Sequence, residues 1–120
     1  MQSNKMKGNK IKVATLTGAL LDYWAGKVDG RAVYIHKNHC SVFASYQAAE
    51  AIPGGDYSPS TDWSQGGPII EREDIWLSQE NGLWAASCYP HVEVQEATTL
   101  LIAAMRCYVA SKFGEEVDEV

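Results

Sequence analysis

Residues 75–88, IWLSQENGLWAASC, read as two apolar-rich runs around Asn81-Gly82. Asn-Gly is the dipeptide favoured where a two-residue turn needs positive φ at both central positions, so Ile75–Gln79 and Leu83–Cys88 are expected to form a β-hairpin. Beyond Pro90, Val92 and Val94 continue the alternation into a third strand. Further along, Thr99 supplies an N-cap oxygen and Gly114 a stop, which bracket a helix over 100–113. Its stripe of Leu101, Ile102, Met105, Tyr108, Val109 and Phe113 is apolar, and the opposite side carries only Ala103, Cys107 and Ala110. A helix apolar nearly all round is buried on more than one side, so the small-residue face meets either the chain's own elements or a second subunit.

On the N-terminal side, residues 11–16 suit a short strand. Thr17 then caps a helix over 18–28, in which Leu20, Leu21, Trp24 and Val28 form one stripe and Gly30 lies beyond the end. Val33–His36 is β-branched and aromatic enough for a strand, residues 42–52 are ambiguous, and 45–51 is assigned to helix with strand as the alternative. The expected architecture is α+β: a small single domain, with an antiparallel sheet containing the 75–88 hairpin packed against helices at 18–28 and 100–113. Residues 1–10, with Lys5, Lys7 and Lys10, read as a flexible basic leader, 11–114 as the domain, and 115–120 as an acidic tail.

Composition limits the function. At 120 residues the chain has room for one core, and 46% hydrophobic with 21% charged residues is ordinary for a folded protein. A net charge of −5 opposes counterion-releasing contact with nucleic acid. No apolar run reaches the roughly 18 residues needed to span a bilayer, and the N-terminus lacks the apolar core of a secretory signal, so the expected setting is cytoplasmic, away from membranes. Cys40, Cys88 and Cys107 are odd in number and widely spaced, which suits reduced thiols better than a disulfide framework.

The run PGGDYSPSTDWSQGGP, residues 53–68, holds three of the four prolines and four of the ten glycines. Such density points to a long loop, and long loops in small domains are usually functional. Pro68 suits the first position of a short helix over 68–73, with an extended segment as the alternative. Within the run, Ser60, Thr61 and Asp62 offer turn-forming oxygens, Tyr57 and Trp63 offer aromatic anchors, and Gly66 and Gly67 permit close approach. Glu71 adds an acceptor. Arg106, set among alanines on the last helix, is expected to pair with Glu71 or Asp62 through a charge-assisted hydrogen bond.

Other chemistry finds little footing. His36, His39 and Cys40 give H-x-x-H-C, and Cys88 with His91 gives C-x-x-H, but adjacent ligands and the absence of a second CxxC argue against zinc. No G-x-S-x-G elbow accompanies the serines, and the paired glycines lack a phosphate-loop context. No metal and no cofactor are expected.

The segments YSPSTDWSQGGPIIERE, from Tyr57, and LIAAMRCYVASKFGEEV, from Leu101, together resemble the NinX-like family of small bacteriophage and prophage proteins. The residues carrying the resemblance are Pro59, Ser60, Thr61, Asp62, Trp63, Gly66, Gly67, Pro68, Ile70, Glu71, Ala103, Ala104, Met105, Arg106, Ala110 and Ser111; residues 30–52 fit poorly. The resemblance implies a phage or prophage origin and a bacterial host, and it does not imply a reaction. The expected function is therefore non-enzymatic: an accessory protein that binds or modulates a host or phage protein through residues 53–73, with homo-oligomerisation open. The expected contact residues are Tyr57, Ser60, Thr61, Asp62, Trp63, Gly66, Gly67, Glu71 and Arg106. The alternative is a small hydrolase or binding protein for a nucleotide or other phosphorylated metabolite, with Asp62 or Glu71 as acid or base and Arg106 as anion clamp.

Overall fold

The computed structural model describes residues 9–43, 54–89 and 91–120. Residues 1–8 of the leader assigned over 1–10, and the helix assigned over 45–51, lie outside the described residues.

Both ends of the 75–88 segment obey its turn. β5 (Trp76–Glu80) and β6 (Leu83–Cys88) pair antiparallel from Trp76↔Ser87 to Glu80↔Leu83. Asn81 and Gly82 sit at φ 55° and 80°, the left-handed values that the dipeptide was expected to supply. β7 (His91–Ala97) joins β6 as the third strand, with a register irregularity between Ala86 and Cys88. Leu77, Trp84, Ala86, Cys88 and Ala97 contribute to the main core, whereas Trp76 and Val94 remain exposed.

Onto this sheet packs α3 (Leu100–Phe113), its start fixed by the Thr99 hydroxyl accepting from the Ile102 N–H at 3.2 Å and its end by Gly114 at φ 87°. The near-uniform apolarity of α3 has its explanation in burial on several sides: it contacts β6, β7 and both other helices. Ala103, Met105, Cys107, Val109 and Ala110 are all buried. The small-residue face is thus spent inside the chain, where Cys107 Sγ lies 3.2 Å from Cys88 Sγ. Fully burying a Met or Val side chain contributes about 1.5–3 kcal/mol, so this helix is the principal organiser of the core.

α1 (Gly18–Val28) follows Thr17 as expected, although the Thr17 side chain makes no capping hydrogen bond. Leu21 and Ala25 face α3, and the Trp24 ring meets Phe113 edge-on at 5.2 Å. Upstream, the strand expected over 11–16 is shorter: β1 (Lys10–Lys12) gives way to a 3-10 turn over Val13–Thr15 that buries Val13. After α1, β2 (Val33–His36) and β3 (His39–Val42) form a second hairpin, closed by Lys37 and Asn38 at φ 52° and 64°. β4 (Gly55–Asp56) pairs with β3.

The acidic end is not a solvated tail over its whole length. β8 (Glu116–Asp118) pairs antiparallel with β1, burying Val117 opposite Ile11, while Lys10 Nζ meets Asp118 at 2.8 Å. Alternation of Val117 between acidic neighbours satisfies a strand with one face on the core. The described residues form an α+β globule of three helices and three small antiparallel sheets. Among the described residues no helix is long and apolar enough to cross a membrane.

Candidate functional site

The proline- and glycine-rich run divides into a pinned turn and a helix. Residues 59–61 turn, and α2 (Trp63–Glu73) begins at Asp62, whose carboxylate accepts from the Ser64 N–H at 2.9 Å and the Ser64 hydroxyl at 2.7 Å. The helix therefore starts five residues earlier than Pro68 suggested, and Pro68 lies inside it. Asp62 explains the difference, because a side-chain cap satisfies an orphan N–H of the first turn and so fixes the entry point ahead of the proline. Pro68 merely withholds one internal donor.

The turn is anchored from beneath. The Ser60 N–H donates to Asp22 Oδ1 at 2.8 Å, and Asp22, on α1, is only 5% exposed. Burial raises the Asp22 carboxyl above its usual range, partly offset by the hydrogen bond from the Ser60 N–H. Gln65 folds back from α2, accepting from the Ser58 N–H and donating to the Asp56 carbonyl at 3.1 Å. Tyr57 and Ser60, read from sequence as contact residues, are buried, and Tyr57 packs with Val33 and Cys40 in a second small core. They are architectural.

Gly66 and Gly67 have separate uses. A Cβ at Gly66 would fall 2.3 Å from the Pro59 carbonyl oxygen and 2.8 Å from Leu101 Cδ2, so a bare backbone lets α2 nest against the turn and α3. A Cβ at Gly67 would instead meet the Trp63 indole at 2.8 Å. The indole lies along the helix over Gly67, yet Trp63 is 58% exposed. Around it a shallow depression is completed by Ser64, Pro68, Ile70 and Glu71. Thr61, Asp62 and Glu71 are exposed on the same segment.

Arg106 does not reach that segment by any hydrogen bond or ion pair among the described residues. Its Nε donates to the Leu16 carbonyl at 2.9 Å and Nη1 to the Glu96 carbonyl at 2.7 Å, tying the N-terminal turn and β7 to α3. The expected pairing with Glu71 or Asp62 is replaced by backbone carbonyls left free at strand and turn ends. Burial lowers the pKa of its guanidinium.

The structure adds a cluster that spacing did not reveal. Asp29, at the end of α1, holds Arg31 Nε on Oδ2 at 2.7 Å and Arg72 Nη2 on Oδ1 at 2.8 Å, and the Tyr108 hydroxyl donates to Oδ1 at 3.1 Å. Arg72 Nη2 also donates to the Tyr108 oxygen at 2.9 Å, and its Nε pairs with Glu73 at 2.9 Å. These contacts raise the Arg72 pKa, Glu73 first; burial, then the charge of Asp29, pushes the Tyr108 phenol up to about 12. The Arg31 guanidinium lies over the Tyr57 ring, 5.3 Å from its centroid. Arg31, Asp29 and Arg72 border a cleft of about 360 Å³ walled by Val42, Tyr57 and Pro68. The only sequence signal for this cluster was the scarcity of arginine: three in the chain, with Asp29-x-Arg31 just past a helix end.

Among the described residues no group of three or more His, Cys, Asp or Glu side chains is placed to hold a metal ion. The family model described as "Bacteriophage P22, NinX" matches residues 12–112. No curated protein matches the chain.

Proposed function

The chain belongs to the Bacteriophage P22, NinX family, and from that premise we propose that it acts by binding, as a non-enzymatic modulator of a host or phage protein in the cytoplasm of the bacterial host. The contact surface is the outward face of α2, with Trp63 as anchor and Thr61, Asp62 and Glu71 as polar surround. One observation carries this reading: the Trp63 indole lies against Gly67 and is still 58% exposed. An uncovered indole offers a large apolar area with only two side-chain torsions to fix on docking, which is the property of an interface anchor. The turn beneath it is fixed by Asp22 and Gln65, so the surface is rigid before any partner arrives.

The hydrolase alternative has less support, because Arg106 is engaged with Leu16 and Glu96 and the Asp62 carboxylate is occupied in capping α2. An exposed indole contributes little to folding, so Trp63→Ala should melt within about 0.5 kcal/mol of wild type. In capture from infected cells, followed by titration of the purified partner, the same change should weaken binding by about 2 kcal/mol, roughly 30-fold. Undiminished capture, or loss of folding in the variant, refutes the assignment.

A further inference from the structure

Two of the three arginines in an acidic chain converge on one cleft. Arg106 shows what a structural arginine does in this protein: it spends its donors on backbone carbonyls. Arg31 and Arg72 are used differently. A single carboxylate, Asp29, accepts from both, Arg31 Nε on one oxygen and Arg72 Nη2 on the other. Glu73 takes only the Nε edge of Arg72. Among the described residues Arg31 has no hydrogen bond from Nη1 or Nη2, and Arg72 has none from Nη1.

The two guanidinium groups are also held in place. Arg31 stacks over Tyr57 and Arg72 lies 6.0 Å from the Tyr108 ring centroid, while Asp29 fixes the other edge of each. Planar donors oriented in advance beside an apolar wall suit the recognition of an oxyanion, since a guanidinium edge matches two oxygens of a phosphate or carboxylate. The cleft volume of about 360 Å³ lies in the range of small-molecule sites. Val42, Pro68 and Ile69 would cover an uncharged body attached to the anion. Asp56, exposed at the cleft, disfavours a second anionic group.

We propose that this cleft binds a small ligand through one oxyanion, phosphate or carboxylate, gripped by the Nη1–Nη2 edge of Arg31 and by Nη1 of Arg72, the donors left unused among the described residues. The site adjoins the Trp63 depression, with Ser64 and Pro68 common to both, but does not use the indole.

The test is titration of the full chain with inorganic phosphate and, separately, with the monocarboxylate acetate, at ionic strength held constant with sodium chloride, following the arginine Nε–H resonances. Saturable shifts of Arg31 and Arg72 with Arg106 unmoved are expected; the tighter of the two anions assigns the ligand as phosphorylated or carboxylated. Arg31→Gln, at an exposed side chain, should weaken binding at least tenfold, and Arg72→Lys, which keeps charge but loses the planar fork, should also weaken it. Trp63→Ala should leave the titration unchanged. Absence of saturable shifts with either anion, parallel movement of Arg106, or a folded Arg31→Gln protein that binds as tightly as wild type overturns the proposal.

Discussion

Replacing Gly66 and Gly67 one at a time by alanine should move stability in opposite directions, although the two residues adjoin on one helix. Each substitution removes the backbone-entropy cost of a helical glycine, a gain of about 1 kcal/mol. At Gly66 the new methyl would sit 2.3 Å from the Pro59 carbonyl oxygen, a backbone atom pinned by the Asp22–Ser60 hydrogen bond beside it, and 2.8 Å from Leu101. No rotamer relieves that contact. α2 must lift from the turn, at an overpacking cost near the upper end of about 1–3 kcal/mol, which leaves the variant destabilised by roughly 2 kcal/mol. At Gly67 the obstacle is the exposed Trp63 indole, which can swing away for a few tenths of a kcal/mol, so the variant gains about 0.5 kcal/mol. For a domain of this size 1 kcal/mol corresponds to about 4 °C, so the melting temperatures should differ by roughly 10 °C. Thermal and urea unfolding of both variants measure this directly. Equal stabilities, or a Gly66→Ala protein more stable than wild type, would refute the packing argument. Gly67→Ala should in addition weaken partner capture, since the displaced indole no longer lies along the helix.

Asp22 predicts a pH signature. Burial raises its carboxyl in the folded state above the unfolded value, so protonation favours the fold: its contribution is fully present below the unfolded pKa and is lost as pH rises through the folded one. Asp22→Asn, which keeps an acceptor for the Ser60 N–H without the buried charge, should match or exceed wild-type stability at pH 7, with its advantage shrinking toward pH 4. Asp22→Ala should lose about 1–3 kcal/mol at any pH by orphaning that N–H. An Asn variant weaker than wild type at neutral pH would contradict this. The three cysteines should be inert in the native state: all are buried, burial pushes the Cys40 thiol up to about 12, and it raises Cys107 as well. A thiol-reactive chromogenic reagent should report nearly no reaction at neutral pH and three thiols in denaturant; rapid native labelling would count against the core placement.

What was legible in the chain was local. Asn81-Gly82 specifies its turn by backbone sterics alone, and Thr99 and Gly114 bracket α3 by satisfying or releasing end groups, so those boundaries needed no tertiary information. Where the reading missed, a longer-range effect decided. Lys37-Asn38 adopts the same left-handed pair as Asn81-Gly82, but lysine carries no preference for it, and strand pairing of Val33–His36 with His39–Val42 imposes the conformation. The start of α2 was masked by Pro68, Gly66 and Gly67, whose usual meaning as helix breakers is outweighed by the Asp62 cap and by packing on α3. Of the contact residues read from sequence, Thr61, Asp62, Trp63 and Glu71 reach the surface, Tyr57 and Ser60 are interior, and Arg106 belongs to a different part of the fold. The Asp29, Arg31, Arg72 and Tyr108 cluster draws on three separate segments, so no spacing along the chain announces it.

The pairing of β1 with β8 joins Lys10 to Asp118 and closes nearly the whole chain into a ring. Loop-closure entropy makes such a contact costly to form early, and its three residue pairs return too little to nucleate anything. The ring is therefore expected to close after α3 has docked and shortened the effective loop, and to open first under strain. Val13, whose N–H donates to the Glu115 carbonyl at 2.8 Å, then loses its cover before the hairpin or α3 has loosened. Amide exchange should be faster at Val117 than at Met105, and the rate at which this seam reopens limits how long the assembled core stays sealed.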